Sequence, residues 1–157
     1  MHKYRFLHFC LTVILTVYKL FHDVRRNIKL LKIKAKCNYD VAFFAEGEGH
    51  YDAAVSRYYY YLLQSIIYYM NKIPIVLGGK YNQDTRIWTL IKHLKEKDRN
   101  KFEENREVLK LQGLKTQRHR SDYYADQIID TEHKFKVNFK NDFINVERAL
   151  KTLCVLE

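Results

Sequence analysis

The residues best able to do chemistry stand in two short clusters. One is Arg118-His119-Arg120-Ser121-Asp122-Tyr123-Tyr124, which sets two permanent cations, an imidazole and a carboxylate side by side. Its arginines can grip a phosphate, and His119 is a candidate base beside them. The other is Ala53-Ala54-Val55-Ser56-Arg57-Tyr58-Tyr59-Tyr60, where Arg57 interrupts an apolar, tyrosine-rich stretch. A buried guanidinium is costly without an acid, so Arg57 needs a partner, and Asp122 is the natural one if the two segments pack.

Other chemistries find no support in the residue pattern. Cys10, Cys37 and Cys154 are widely spaced and odd in number, and no Cys-x-x-Cys pair is present. The seven histidines include no His-Glu-x-x-His arrangement. Neither a zinc knuckle nor a disulfide scaffold is indicated; no metal or cofactor is expected, and a reducing cytoplasm is the expected compartment. Charge points to the partner instead. Lys and Arg number 28 against 18 Asp and Glu, a net +10. Residues 1–40 carry nine Lys/Arg against Asp23 and Asp40, a net +7. That balance suits an anionic partner: RNA, DNA, a nucleotide, a membrane surface or an acidic protein. A basic face that only keeps the protein soluble is the plainer alternative.

Elements that position these clusters follow from composition and period. A chain of 157 residues is one domain's worth, and 47% apolar residues can build a core. Five glycines and one proline are too few for a sandwich, a barrel or a glycine-rich nucleotide loop with repeated βα turns. Helices remain. Leu30, Ile33, Cys37, Val41 and Phe44 share one helical face, and Gly47 and Gly49 end that helix. A second helix is expected from about His50 to Asn71, apolar nearly all round and therefore central. Pro74 and Gly78-Gly79 mark residues 72–84 as a loop. Asp84 or Thr85 can cap a third helix with Ile87, Trp88, Leu90, Ile91 and Leu94 buried, broken near Asp98. Phe102, Leu109 and Leu111 carry an apolar trace to Gly113, and residues 114–130 hold the polar cluster. The last helix runs from about Thr131 to Leu153 with Phe135, Phe139, Phe143, Val146, Leu150 and Leu153 inside. The sum is an all-α, up-and-down four-helix bundle over residues 28–157 with an N-terminal extra.

Residues 1–27 form that extra. The uncharged run Phe6–Tyr18 holds 13 residues. As a helix it would reach about 20 Å, short of the roughly 30 Å hydrocarbon core of a bilayer. It reads as an amphipathic or buried helix, with an interfacial membrane helix or an extension outside the core as alternatives.

The two clusters resemble the HEPN domain family (higher eukaryotes and prokaryotes nucleotide-binding). Its second helix commonly reads Ala-x-x-Arg-x-Tyr-Tyr, here Ala54-Val55-Ser56-Arg57-Tyr58-Tyr59-Tyr60. A later Arg-x-x-Ala-Asp-Tyr precedes the last helix, here Arg118-His119-Arg120-Ser121-Asp122-Tyr123 with serine in place of alanine. The order and spacing agree over about residues 28–155. The resemblance implies a helical bundle, a homodimer and a cytoplasmic role in defence or toxin–antitoxin modules, beside a nucleotidyltransferase-type partner. Many members are metal-independent ribonucleases in which a histidine moves the 2′-hydroxyl proton and an arginine stabilises the phosphate. In some, a tyrosine near the active site is nucleotidylated, which makes Tyr123 and Tyr124 candidate modification sites.

The departure from the family lies at the catalytic motif, an arginine followed after four to six residues by a histidine. Beyond Arg118 and Arg120 those positions hold Tyr123, Tyr124, Ala125, Asp126 and Gln127. A formal match, Arg86 to His93, falls on the third helix. The expected protein is therefore a non-catalytic HEPN protein in which Arg57, Arg118, Arg120, Asp122 and Tyr123 hold a nucleotide, an RNA phosphate, the dimer or the fold. A ribonuclease with an atypical Arg118/His119 site is one alternative. A membrane-surface or protein-binding helical adaptor driven by residues 1–27 is the other.

Overall fold

The described residues, 28–73, 82–124 and 129–156 of a computed structural model, are helices joined by short turns, with no strand among them. The extra helix expected over residues 1–27 and residues 74–81 of the expected 72–84 loop lie outside the described residues. No helix among the described residues is long and apolar enough to cross a membrane.

Helix α1 covers residues 28–47 and ends as its glycines predict. Gly49 takes φ +77°, its N–H donates to Glu46 O (3.1 Å), and the His50 N–H donates to Ala45 O (2.8 Å). That pair of bonds satisfies the last carbonyls and needs a left-handed residue, which glycine supplies without a Cβ penalty. The chain turns directly into α2, Tyr51–Met70, the central rod, with Ala54, Val55, Tyr58, Tyr59, Leu62, Leu63 and Ile66 buried. The face of α1 that packs on α2 is not the stripe of large apolar residues. Ala35, Ala42 and Ala45 are buried, while Leu30, Ile33, Val41 and Phe44 are exposed. Small residues are needed there because α2 brings aromatic rings to the contact: Tyr39 of α1 meets Tyr58 and Tyr61 edge-on at 5.7 and 5.1 Å.

Helix α3, Gln83–Lys97, starts one residue before the expected cap. Asn82 accepts from the Thr85 N–H (2.8 Å) and hydroxyl (2.9 Å). Ile87, Leu90, Ile91 and Leu94 are buried as expected, but Trp88 is 60% exposed. The break at Asp98 is real, and Asp98 caps α4, Arg99–Glu104, by accepting from Lys101 N–H at 3.0 Å. A 3₁₀ turn, Arg106–Lys110, buries Val108 and leaves Leu109 at the surface.

The largest departure from expectation comes next. The segment from Leu111 to Tyr123 is helix α5, running straight through Gly113 and packing along α2. Only Leu111 and Leu114 of α5 are buried. Periodicity is weak because the rest of its α2-facing side is polar.

The C-terminal rod joins α6, Glu132–Phe135, to α7, Asn141–Thr152, through one π turn over Lys136–Lys140. Phe135, Phe139 and Phe143 recur every four residues, a repeat that drifts about 40° per step on a regular α-helix. A wider turn takes up that drift. The rings stay in one stack, with centroids 6.1 and 6.0 Å apart and planes within 23°. All three are buried against α2, where Phe143 lies 4.5 Å from Tyr58. The chain described is thus all-helical around α2, with more elements than the four main helices expected, because α5 joins them.

Candidate functional site: a polar clasp and its aromatic rim

Helices α2 and α5 each present two polar residues four apart, and four-residue spacing puts each pair on one face. On α5 these are Arg118 and Asp122; on α2 they are Ser56 and Tyr60. Arg118 Nη2 lies 2.6 Å from Asp122 Oδ2 and donates to the Tyr60 hydroxyl at 2.6 Å. Ser56 Oγ donates to the other Asp122 oxygen at 2.8 Å, which closes the ring. The guanidinium also lies over the Tyr60 ring, 4.9 Å from its centre. Arg118 is 14% exposed and Asp122 24% at their side chains, so these partners replace part of the hydration of both groups. Arg118 Nε and Ser121 Oγ are buried beside the ring without a hydrogen-bond partner.

Arg57 is not part of this clasp, and the expected Arg57–Asp122 pair does not form. Neighbouring residues on a helix point about 100° apart, so when Ser56 faces α5, Arg57 is turned toward α1. There its guanidinium donates to Asn38 Oδ1 at 3.3 Å, in an exposed position. The guanidinium does not need the acid that burial would have demanded.

The same 100° step separates Arg118 from His119. Arg118 turns inward to the clasp, while His119 is exposed and packs on the rings of Tyr123 (4.8 Å) and Tyr124 (5.7 Å). Tyr123 is 66% exposed and Tyr124 46%, and Arg120 is exposed on the same turn of α5. His119, Arg120, Tyr123 and Tyr124 thus form an open aromatic and basic rim at the C-terminal end of α5. The structure brings together Arg118, Asp122 and Tyr123, whose ring lies 5.7 Å from the guanidinium, and leaves Arg57 apart. The Arg86/His93 pair is also separated. His93 is held at 3.4 Å by the Tyr69 hydroxyl, two turns along α3 from Arg86.

Ser56 and Tyr60 are the site residues that the sequence reading missed. Their only signal was the four-residue spacing that mirrors Arg118 and Asp122. Around the clasp, two further polar locks fix the bundle. Glu46 of α1 accepts from the Tyr58 hydroxyl (2.6 Å) and from Lys140 of the π turn (2.5 Å). Burial first, and Glu46 second, push the Tyr58 phenol well above its ordinary range. Asp84 of α3 accepts from Lys115 (2.5 Å) and Gln112 (2.7 Å) of α5, bonds that pull its carboxyl below the ordinary aspartate range. No cluster of three or more metal-ligating side chains occurs among the described residues.

No family model, no curated protein and no solved structure matches the chain.

Proposed function

We propose that this chain is a non-catalytic, HEPN-like helical protein that binds single-stranded RNA at the rim of α5. Arg120 contacts phosphate, and Tyr123 and Tyr124 offer stacking faces to unpaired bases. The observation that carries this reading is the divergence of Arg118 and His119. A ribonuclease site needs an arginine and a base converging on one phosphate. Here the arginine is bound to Asp122 and Tyr60 inside the clasp, and the histidine faces solvent. In this reading the clasp is scaffold: it holds α5 on α2 so that the rim keeps its shape. The net charge of +10 supports an anionic partner. Cytoplasmic residence, a nucleotidyltransferase-type partner and a defence or toxin–antitoxin setting belong to the same proposal and rest on the resemblance.

The test is binding of a labelled single-stranded RNA to the full chain, read by fluorescence anisotropy with cleavage followed on the same samples. We expect no metal-free cleavage, and affinity that falls on the order of tenfold or more between about 50 and 200 mM salt. Tyr123→Ala should weaken binding about tenfold, the scale of ~1–3 kcal/mol per stacked base. Metal-free cleavage abolished by His119→Ala would install the ribonuclease reading instead. Salt-insensitive binding, or wild-type affinity in Arg120→Ala/Tyr123→Ala, would remove the rim from the function.

A further inference from the structure

A cavity of about 330 Å³ opens where α1, α2 and the end of α7 meet, with no residue of α5 in its lining. Two of its lining residues are small, Ala35 of α1 and Ser65 of α2, and between them they leave the gap. The rest of the lining is mainly apolar or aromatic. Tyr39, Tyr61 and Tyr68 contribute rings, and the turn at Cys154 brings Val155 and Leu156 back to the same space. Glu147 of α7 also lines it, with a side chain 14% exposed. Its Oε1 accepts from the Tyr61 hydroxyl (3.1 Å) and from Lys151 (2.9 Å). Glu147 Oε2 and the Ser65 hydroxyl have no hydrogen-bond partner among the described residues.

We propose that this cavity binds a neutral, flat aromatic molecule carrying one hydrogen-bond donor, a compound of the naphthol or indole class. Its volume lies at the lower end of small-molecule sites, which span about 300–1,000 Å³. Tyrosine rings offer such a ligand stacked and edge-on contacts. Charge decides the rest. A carboxylate in a mainly apolar wall repels an acid, so Glu147 excludes anionic ligands. Lys32, Lys36 and Lys151, also in the lining, oppose a cation in the same way. These charges are already answered within the chain. Lys36 lies 2.8 Å from Asp40, Lys151 is held by Glu147, and Lys32 lies over the Tyr68 ring at 6.0 Å. The site therefore calls for no counter-ion. Glu147 Oε2 is left to accept, and a phenol O–H or an indole N–H can donate to it in a charge-assisted hydrogen bond. The cavity shares no residue with the rim of α5, so it stands or falls independently of RNA binding.

The test titrates the full chain with naphthol, followed by ligand fluorescence anisotropy and by calorimetry. One naphthol should bind per chain, with a dissociation constant below about 100 μM. Naphthalene, which lacks the donor, should bind about tenfold more weakly. Naphthoate and naphthylmethylammonium should each fall behind naphthol by at least that factor. Ser65→Leu fills the cavity and should abolish binding, with a melting midpoint equal to or above wild type. Glu147→Gln, shown to be folded by the same melting curve, should close most of the gap between naphthol and naphthalene. No saturable binding of naphthol, or binding that survives Ser65→Leu, overturns the proposal. Naphthoate or naphthylmethylammonium binding as tightly as naphthol overturns it equally, since the charge of the lining would then not select a neutral ligand.

Discussion

Ser56 of α2 donates a 2.8 Å hydrogen bond to Asp122 on the last turn of α5, and that bond ties the end of α5 that carries the rim to α2. Asp122 in turn holds Arg118 at 2.6 Å, so the guanidinium is aimed inward and its neighbour His119 outward. With Arg118 held inward, the 100° step of the helix leaves His119 to solvent.

Removing the acid of the clasp should be costly. Asp122→Ala leaves the Arg118 guanidinium, 14% exposed, without its counter-charge. We expect a loss of about 2 kcal/mol in unfolding free energy, below the ~3–5 of a fully buried pair because water still reaches both groups. Ser56→Ala should cost about 1 kcal/mol. Replacing both charges, Arg118→Leu with Asp122→Leu, should recover part of the loss. Urea titrations decide the matter, and an Asp122→Ala protein as stable as wild type would reduce the clasp to decoration.

Two helix ends offer a matched pair of opposite effects. Cys154 closes α7 with φ +58°, its N–H donating to Lys151 O (3.0 Å) and the Val155 N–H to Leu150 O (2.9 Å). Gly49 closes α1 in the same way at φ +77°. A residue with a Cβ is strained there by roughly 1 kcal/mol. Cys154→Gly should raise the melting midpoint by about 2–4 °C, and Gly49→Ala should lower it by a similar amount. Nothing lies within 4 Å of a Cβ built on Gly49, so backbone conformation alone causes the change. A melting curve of Cys154→Gly below wild type would contradict this account.

Acid should weaken the α3–α5 lock. The carboxyl of Asp84 is held below its ordinary range by the Lys115 and Gln112 bonds. Its contribution is therefore complete above the unfolded-state value and disappears as pH falls through the lower folded one. Unfolding free energy measured from pH 5 downward should decline, and the decline should be shallower in Asp84→Asn. Parallel slopes in the two proteins would show that Asp84 is not a source of acid sensitivity.

Alkali should act through the tyrosines of α2. Burial raises the phenols of Tyr58, Tyr59 and Tyr61, with Glu46 and Glu147 adding to the first and last, and with Arg118 partly opposing the rise at Tyr59. Raised folded values mean stability that is intact below the unfolded-state value of about 10 and lost as pH climbs past it. Phenolate absorbance should therefore lag in the folded protein and appear together with unfolding. Tyr61→Phe should flatten the alkaline slope, and free titration of every tyrosine before unfolding would count against buried phenols.

The legible parts of this protein were those written in local chemistry. The near-absence of glycine and proline, together with apolar period, pointed to helices. The all-round apolar α2 and the four-residue phenylalanine repeat of the C-terminal rod were visible in the same way. Asp98 and Gly49 marked ends because capping and left-handed geometry are decided by a few neighbouring residues. Helix α5 was not legible, since Gly113 and a polar face hid a period that only Leu111 and Leu114 carry.

The sequence by itself determined which residues share a helical face; the tertiary structure alone decided which face turns inward. In α1 the stripe from Leu30 to Phe44 is the more apolar, yet the Ala35–Ala42–Ala45 side is buried. Tyr58 and Tyr61 of α2 already fill the contact, and only small side chains let the two backbones close around them. In α2 the same choice, made by packing against α5, put Ser56 rather than Arg57 opposite Asp122. Periodicity measures spacing along one helix, but burial depends on the volume that a neighbouring helix leaves free.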